Sequence, residues 1–398
     1  MIQAVISPSM DAPAIDPRDR GGPGQPMLIV NDLKKHFPIR KGLLGRTVGA
    51  VQAVDGVSLT VEKGEVLGIV GESGCGKSTL ARLLMRMMPV DSGEMIFDGD
   101  PVGVQTGISI DELHRSMQMV FQDSYSSLNP RMPIADTIAF TPMVNGLSEA
   151  EAMDRARSLL SQVGLSPAMF ARRYPHELSG GQRQRVNIAR ALAVEPRLVI
   201  LDEAVSALDK SVEAQVLNLL VALQEAHNLT YIFISHDLHV VRFISDRVAV
   251  MYLGRIVETG SVDDIYDNPR HPYTRALLAS SPSMDPRNRT RKAPLSGDPP
   301  NPINPPSGCR FRTRCPFAED VCIEHSRPPR RCRAERTIGS AAICRIRRQA
   351  TAAAMSPFTR SHNDCRNAFF FCRRRPRHSG CRRARDCRGQ PEGVVRQR

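Results

Sequence analysis

Val66-Leu67-Gly68-Ile69-Val70 runs directly into Gly71-Glu72-Ser73-Gly74-Cys75-Gly76-Lys77-Ser78. The first five residues have the length and apolar character of a strand buried on both faces. The following eight fit G-x-x-x-x-G-K-S, and Thr79 to Met88 reads as a helix. A buried strand, a glycine turn and a helix start in that order confine the chain to an α/β fold built on a mainly parallel sheet. They also make an anion site, because the turn and the helix N-terminus aim N–H groups at one point. Gly71 and Gly76 allow the backbone angles this needs. Lys77 has the reach for β- and γ-phosphates, and the Ser78 hydroxyl can ligate Mg²⁺. Glu72, Ser73, Gly74, Cys75 and Thr79 complete the expected nucleotide contacts, with Cys75 read as a small side chain rather than a redox group.

Leu198-Val199-Ile200-Leu201-Asp202-Glu203 is a second buried strand, ending in two carboxylates. An unpaired carboxylate there would be costly, so Asp202 is expected beside the metal and the glycine loop. By the strand's period of two, Glu203 points the other way, where it can polarise an attacking water. Between the two strands lies Leu178-Ser179-Gly180-Gly181-Gln182, a hydroxyl and small residues at the start of the helix expected over Gly180–Val194. It too favours an anion.

The loop, the signature and the acidic strand together resemble the ATP-binding cassette (ABC) ATPases over roughly residues 27–285. The resemblance implies ATP and Mg²⁺ as cofactors, hydrolysis by positioning and charge neutralisation, and these roles. Glu203 is the catalytic base. Gln122, in Val120-Phe121-Gln122-Asp123, matches the Q-loop that touches Mg²⁺ and water. His236, in Ile234-Ser235-His236-Asp237, matches the switch histidine at the γ-phosphate. Asp209 closes the loop Ser206-Ala207-Leu208-Asp209 at the dimer seam. Phe37 is the aromatic that stacks on adenine. Ser179, Gly180, Gly181 and Gln182 close on ATP bound by the opposite subunit, so the site implies a second ATPase, paralogous or identical. Ala204 stands where the family commonly has Pro, without altering a functional side chain.

Met27–Leu33 and Val57–Val61 read as strands of an antiparallel layer. Ser148–Val163 reads as an amphipathic helix with Ser148 as cap and Glu151 three residues on. The domain plan expected is a disordered Pro-rich leader over 1–26, an ABC ATPase domain with a helical signature subdomain over 27–268, a Cys-rich extension over 269–344 and an Arg-rich disordered tail over 345–398.

The net charge of +13 suggests nucleic acid until it is located. Residues 345–398 hold 15 Arg, no Lys and three acidic residues, so nearly all the excess lies in the tail and the body is near neutral. A soluble ABC ATPase acting on nucleic acid through that tail is therefore the lesser alternative, and no nucleic-acid partner is expected. Neither a charged, apolar N-terminal signal nor a run of ~20 apolar residues is present, so the chain is expected to be cytosolic and, if it works at a membrane, to borrow a partner's helices.

A finer resemblance, to the oligopeptide/dipeptide (and nickel) importer ATPases, rests on several strings. These are Lys35-His36-Phe37-Pro38-Ile39, Ala53-Val54-Asp55-Gly56-Val57-Ser58, Ser127-Leu128-Asn129-Pro130-Arg131 and His271-Pro272-Tyr273-Thr274. It implies peptide import driven by two ATPases at the cytoplasmic face of the inner membrane, two membrane permeases and an external solute-binding protein, with nickel, glutathione or another small solute as the alternative cargo. Gly308-Cys309-Arg310-Phe311-Arg312-Thr313-Arg314-Cys315-Pro316 resembles that family's terminal motif. In some members four such cysteines hold an iron–sulfur cluster. Thiolates at short spacing suit iron–sulfur or zinc, which would use Cys309, Cys315 and Cys322, with Cys344 or Cys332 as the fourth ligand. The alternative is a small reduced cap without metal.

Overall fold

The computed structural model describes residues 18–22, 24–42, 46–280, 297–298, 300–324 and 330–331. Strand β1 (Leu28–Lys41) pairs antiparallel with β2 (Arg46–Val61), from Leu28 opposite Val61 to Lys41 opposite Arg46. Every residue of β3 (Val66–Val70) is buried, as its unbroken apolar run requires. Helix α1 (Lys77–Leu84) starts two residues before the expected Thr79, because Gly76, at φ 106°, closes the glycine turn and leaves Lys77 already helical. It ends early as well, with Arg86 at φ 52° turning the chain away. Strands β4 (Ser92–Phe97) and β5 (Asp100–Pro101) complete an antiparallel sheet in the order β2-β1-β4-β5.

Helix α2 (Ile110–Ser116) leads into β6 (Met117–Val120). Then come α3 (Ile134–Val144), α4 (Glu149–Gln162), the short α5 (Pro167–Phe170) and α6 (Gly180–Leu192), of which α3, α4 and α6 pack on one another. Helix α4 opens on the expected capping box, Ser148 Oγ accepting from Glu151 N–H and Glu151 accepting from Ser148 N–H. The remaining chain alternates: β7 (Leu198–Asp202), α7 (Lys210–His227), β8 (Thr230–Ile234), α8 (Leu238–Ile244), β9 (Arg247–Tyr252) and β10 (Arg255–Ser261). Helices α9 (Val262–Asp267), α10 (Pro272–Ala279) and α11 (Val321–Glu324) and strand β11 (Arg330–Arg331) follow. The second sheet runs β11-β10-β9-β3-β8-β7-β6, and its five strands from β9 to β6 are parallel.

Strand alternation divides the core into two layers. Val66, Val70, Val199, Leu201, Tyr231 and Phe233 face the cluster that holds the buried sides of α3, α4, α6 and α7. Leu67, Ile69, Leu198, Ile200, Ile232 and Ile234 face the other, with Leu80 and Leu84 of α1 and Leu28 and Val57 of the antiparallel layer.

Two expectations change. The leader was read as disordered to residue 26, and residues 1–17 lie outside the described residues. Its last part is anchored: Arg20 N–H donates to Asp98 Oδ2 at 2.7 Å, and Lys63 pairs with both Asp19 and Asp98. Arg197 also pairs with Asp98. Composition could not show this, because each partner of that short segment lies far along the chain. The extension, expected as a separate module, is built into the ATPase core over its described part. Phe311 is fully buried, its ring centroid 5.4 Å from those of Tyr252 and Tyr273. The expected tail, 345–398, and Cys332 and Cys344 lie outside the described residues.

Candidate functional site

Parallel strands leave an open edge at their C-terminal ends, where loops to the next helices converge. Neighbouring strands β3, β8, β7 and β6 end there in the glycine loop, His236, Glu203 and Gln122 respectively. The glycine loop is wedged in place. A Cβ at Gly76 would lie 2.1 Å from the Ala53 carbonyl oxygen of β2, and one at Gly71 would lie 2.2 Å from that of Met251 at the end of β9. Gly254 N–H donates to Cys75 O at 2.8 Å. The Lys77 ammonium is buried and donates to Gly71 O at 2.8 Å and Glu72 O at 3.0 Å. Burial pushes the Cys75 thiol up, which keeps it protonated and suits the reading as filler.

Ser78 Oγ, in the first turn of α1, donates to Asp202 Oδ1 at 3.1 Å. Burial raises the Asp202 carboxyl; the Ser78 hydrogen bond opposes this and the Glu203 charge adds to it. A hydroxyl and a desolvated carboxylate in contact are hard oxygen donors, the chemistry that fits Mg²⁺.

Glu203 was expected to turn away from Asp202 by strand alternation. The cause is instead a break in the strand: β7 ends at Asp202 and Glu203 sits at φ 49°, with its N–H donating to Ile234 O at 2.9 Å. Left-handed backbone at a non-glycine residue is uncommon and concentrates at functional positions. Its half-buried carboxylate accepts from Gln122 Nε2 at 2.7 Å, and His236 Nδ1 lies 3.5 Å from its other oxygen. Residues from three loops thus meet on one carboxylate. Gln122 was also expected at the metal; its amide is placed on Glu203.

The signature forms a capping box that the sequence reading did not single out: Ser179 Oγ accepts from Gln182 N–H, and Gln182 Oε1 accepts from Ser179 N–H at 3.0 Å. Gly181 is buried, and a Cβ there would lie 2.3 Å from Val212 Cγ1 on α7. Among the described residues no hydrogen bond or ion pair joins Ser179–Gln182 to the glycine loop. Asp209 is exposed at the N-cap of α7. Phe37 is exposed on β1 opposite Val51, with Lys35 Nζ 5.8 Å from its ring centroid.

Residues outside the expected set also touch the loop. Arg314 bonds the Glu72 carboxylate through both terminal nitrogens, at 2.8 and 3.1 Å, and Tyr273 Oη accepts from Glu72 N–H at 2.9 Å. Both lay within strings already singled out, but only the cysteines of the terminal motif were given a role. Cys309 is raised by burial, with further contributions from the nearby Cys322 and Cys315. Among the described residues no three His, Cys, Asp or Glu side chains are grouped to hold a metal ion.

Two family models match the chain: ABC transporter over residues 54–206, and oligopeptide/dipeptide transporter, C-terminal region, over residues 257–322. The chain is 51% identical over 305 residues to the oligopeptide transport ATP-binding protein AppF of Bacillus subtilis, covering 75% of this chain and 92% of that one. It is 48% identical over 293 residues to the dipeptide transport ATP-binding protein DppF of Escherichia coli, covering 73% and 87%. Among solved structures it resembles cbiO1 from Clostridium perfringens, part of the ABC transporter complex cbiONQ (TM-score 0.53, 30% identity, 61% of this chain and 91% of that one). It also resembles a dimeric post-hydrolysis state of the ATP-binding cassette MJ0796 bound to ADP and Pi (TM-score 0.51, 27% identity, 59% and 99%).

Proposed function

Because this chain belongs to the ABC transporter family and carries that family's oligopeptide/dipeptide C-terminal region, we propose that it hydrolyses ATP to drive peptide import. The single observation that carries the residue roles is the convergence of Gln122 and His236 on Glu203, beside the Ser78–Asp202 pair. Glu203 takes the proton of the attacking water, and its left-handed backbone aims it off the strand. Gln122 and His236 orient that carboxylate. Lys77 and the N–H groups of Gly71–Thr79 hold the phosphates, and Phe37 offers a ring for adenine. Ser78 and Asp202 would hold Mg²⁺, which would supply charge neutralisation on the phosphates.

Ser179, Gly180, Gly181 and Gln182, with Asp209, face a nucleotide on a second ATPase subunit. Support for this comes from a similar solved structure described as a dimer, and among the described residues no hydrogen bond or ion pair ties the signature to the chain's own loop. No helix among the described residues is long and apolar enough to cross a membrane, so the transport path belongs to permease partners, with an external binding protein selecting the peptide. Among the described residues Cys309, Cys315 and Cys322 are not grouped to hold a metal ion and Cys344 lies outside them, so no role in hydrolysis is assigned to an iron–sulfur cluster.

The test is uptake of labelled di- and oligopeptides in cells lacking the gene. Wild type restores uptake. Glu203→Gln binds ATP, but its hydrolysis falls by about 10²- to 10⁴-fold and it does not restore uptake. Normal uptake without the gene would remove the peptide assignment.

A further inference from the structure

Glu72 is held on three sides. Its carboxylate is gripped by both terminal nitrogens of Arg314, its N–H donates to Tyr273 Oη at 2.9 Å, and its carbonyl accepts from Lys77 Nζ at 3.0 Å. Two of these partners belong to the C-terminal extension, 201 and 242 residues away. The Arg314 side chain is only 6% exposed. Tyr273 is fully buried, its ring packed on Tyr252 and Phe311. A planar guanidinium bound to a carboxylate through two nitrogens fixes orientation as well as place. The same segment braces the other end of the loop. Arg310 donates to Leu253 O and pairs with Gln52 and Asp55. Between those two β2 residues lies Ala53, whose carbonyl abuts Gly76.

Gly71, Gly74 and Gly76 give the loop wide freedom, and a loop ordered before binding loses less entropy when phosphate arrives. We propose that Arg314 and Tyr273 are positioning residues of the phosphate loop, so that docking of the extension sets the affinity for nucleotide. This rests on the nucleotide-binding reading above and deepens it. Ordering the loop favours bound substrate and transition state alike, so loss of the clamp raises KM and leaves kcat nearly unchanged.

Equilibrium titration of the full-length chain with a fluorescent ATP analogue, and steady-state ATPase of the assembled transporter, test it. Arg314→Ala is expected to weaken analogue binding and raise the KM for ATP about tenfold, with Arg314→Lys in between. Tyr273→Phe keeps the ring packing, removes the acceptor for Glu72 N–H and is expected to raise both about threefold. Arg312→Ala, on the same segment but bonded to Ser307, stays near wild type. Should Arg314→Ala fail to fold, Tyr273→Phe and Arg314→Lys decide. Wild-type affinity and KM in both would overturn the proposal, as would a fall in kcat at unchanged KM. A wild-type chain that binds no analogue would instead defeat the nucleotide reading itself.

Discussion

Asp55 shows how one residue ties distant parts together. Its side chain accepts from Arg255 at 2.7 and 3.0 Å, pairs with Arg310 and lies 3.0 Å from His36 Nε2. Burial alone would raise its carboxyl, but the Arg255 hydrogen bond and the Arg310 charge outweigh this and hold it below the usual value. Arg310 is lowered as well, to about 10, because burial and the neighbouring Arg255 charge outweigh the attraction of Asp55. Removing one partner of a buried pair leaves a charge without compensation. Arg310→Ala is therefore expected to cost about 3 kcal/mol, the low end for such a loss because Arg255 and His36 remain with Asp55. Urea denaturation of the full chain reads this as a fall in the midpoint at unchanged slope; an unchanged midpoint would show that Arg255 alone suffices.

At the scale of elements, the functional residues stand at ends: Ser78 in the first turn of α1, Ser179 at the cap of α6, Glu203 just past β7, His236 just past β8. Rigid sheet and helix place them, and short turns aim them. The joint between α6 and α7 is tight, since a Cβ at Gly181 would lie 2.3 Å from Val212 Cγ1. Gly181→Ala forces α6 and α7 apart and is expected to cost about 1–3 kcal/mol in overpacking. It should reduce ATPase activity more than nucleotide affinity, because it moves the signature and not the chain's own loop. A combined Val212→Ala change, which reopens the space, is expected to restore activity. Failure of that rescue would point to a contact made by Gly181 with the second subunit.

Across the whole molecule, Asp98 joins the leader, the antiparallel layer and the N-terminal end of β7 in the parallel sheet. Burial would raise it, but hydrogen bonds from Lys63, Arg20 N–H and Arg197 lower it from 3.8 to about 2. A folded-state value below the unfolded one contributes stability above pH 3.8 that is lost as pH falls toward 2. The urea midpoint of wild type should fall through that window, and Asp98→Asn should start lower at neutral pH and fall less. Parallel curves for the two proteins would remove Asp98 as the source. Deleting residues 1–26 should also lower the neutral-pH midpoint, since Asp19 and Arg20 leave with the leader.

The parts legible in the sequence were those carried by short stretches. The run Val66–Val70 with its glycine loop, the capping box at Ser148 and the buried strand ending at Asp202 each state their own structure, because burial period, cap chemistry and backbone freedom are local properties. Residue types at those ends also pointed to phosphate and metal chemistry. Only the folded chain could bring Gln122, Glu203 and His236 together from three loops, and only it shows that a left-handed residue, not strand alternation, turns Glu203 aside. The same holds for Asp19 on Lys63 and Arg314 on Glu72. Pairings between residues tens to hundreds of positions apart leave no periodic trace in a sequence, since opposite charges are common everywhere and only packing decides which ones meet.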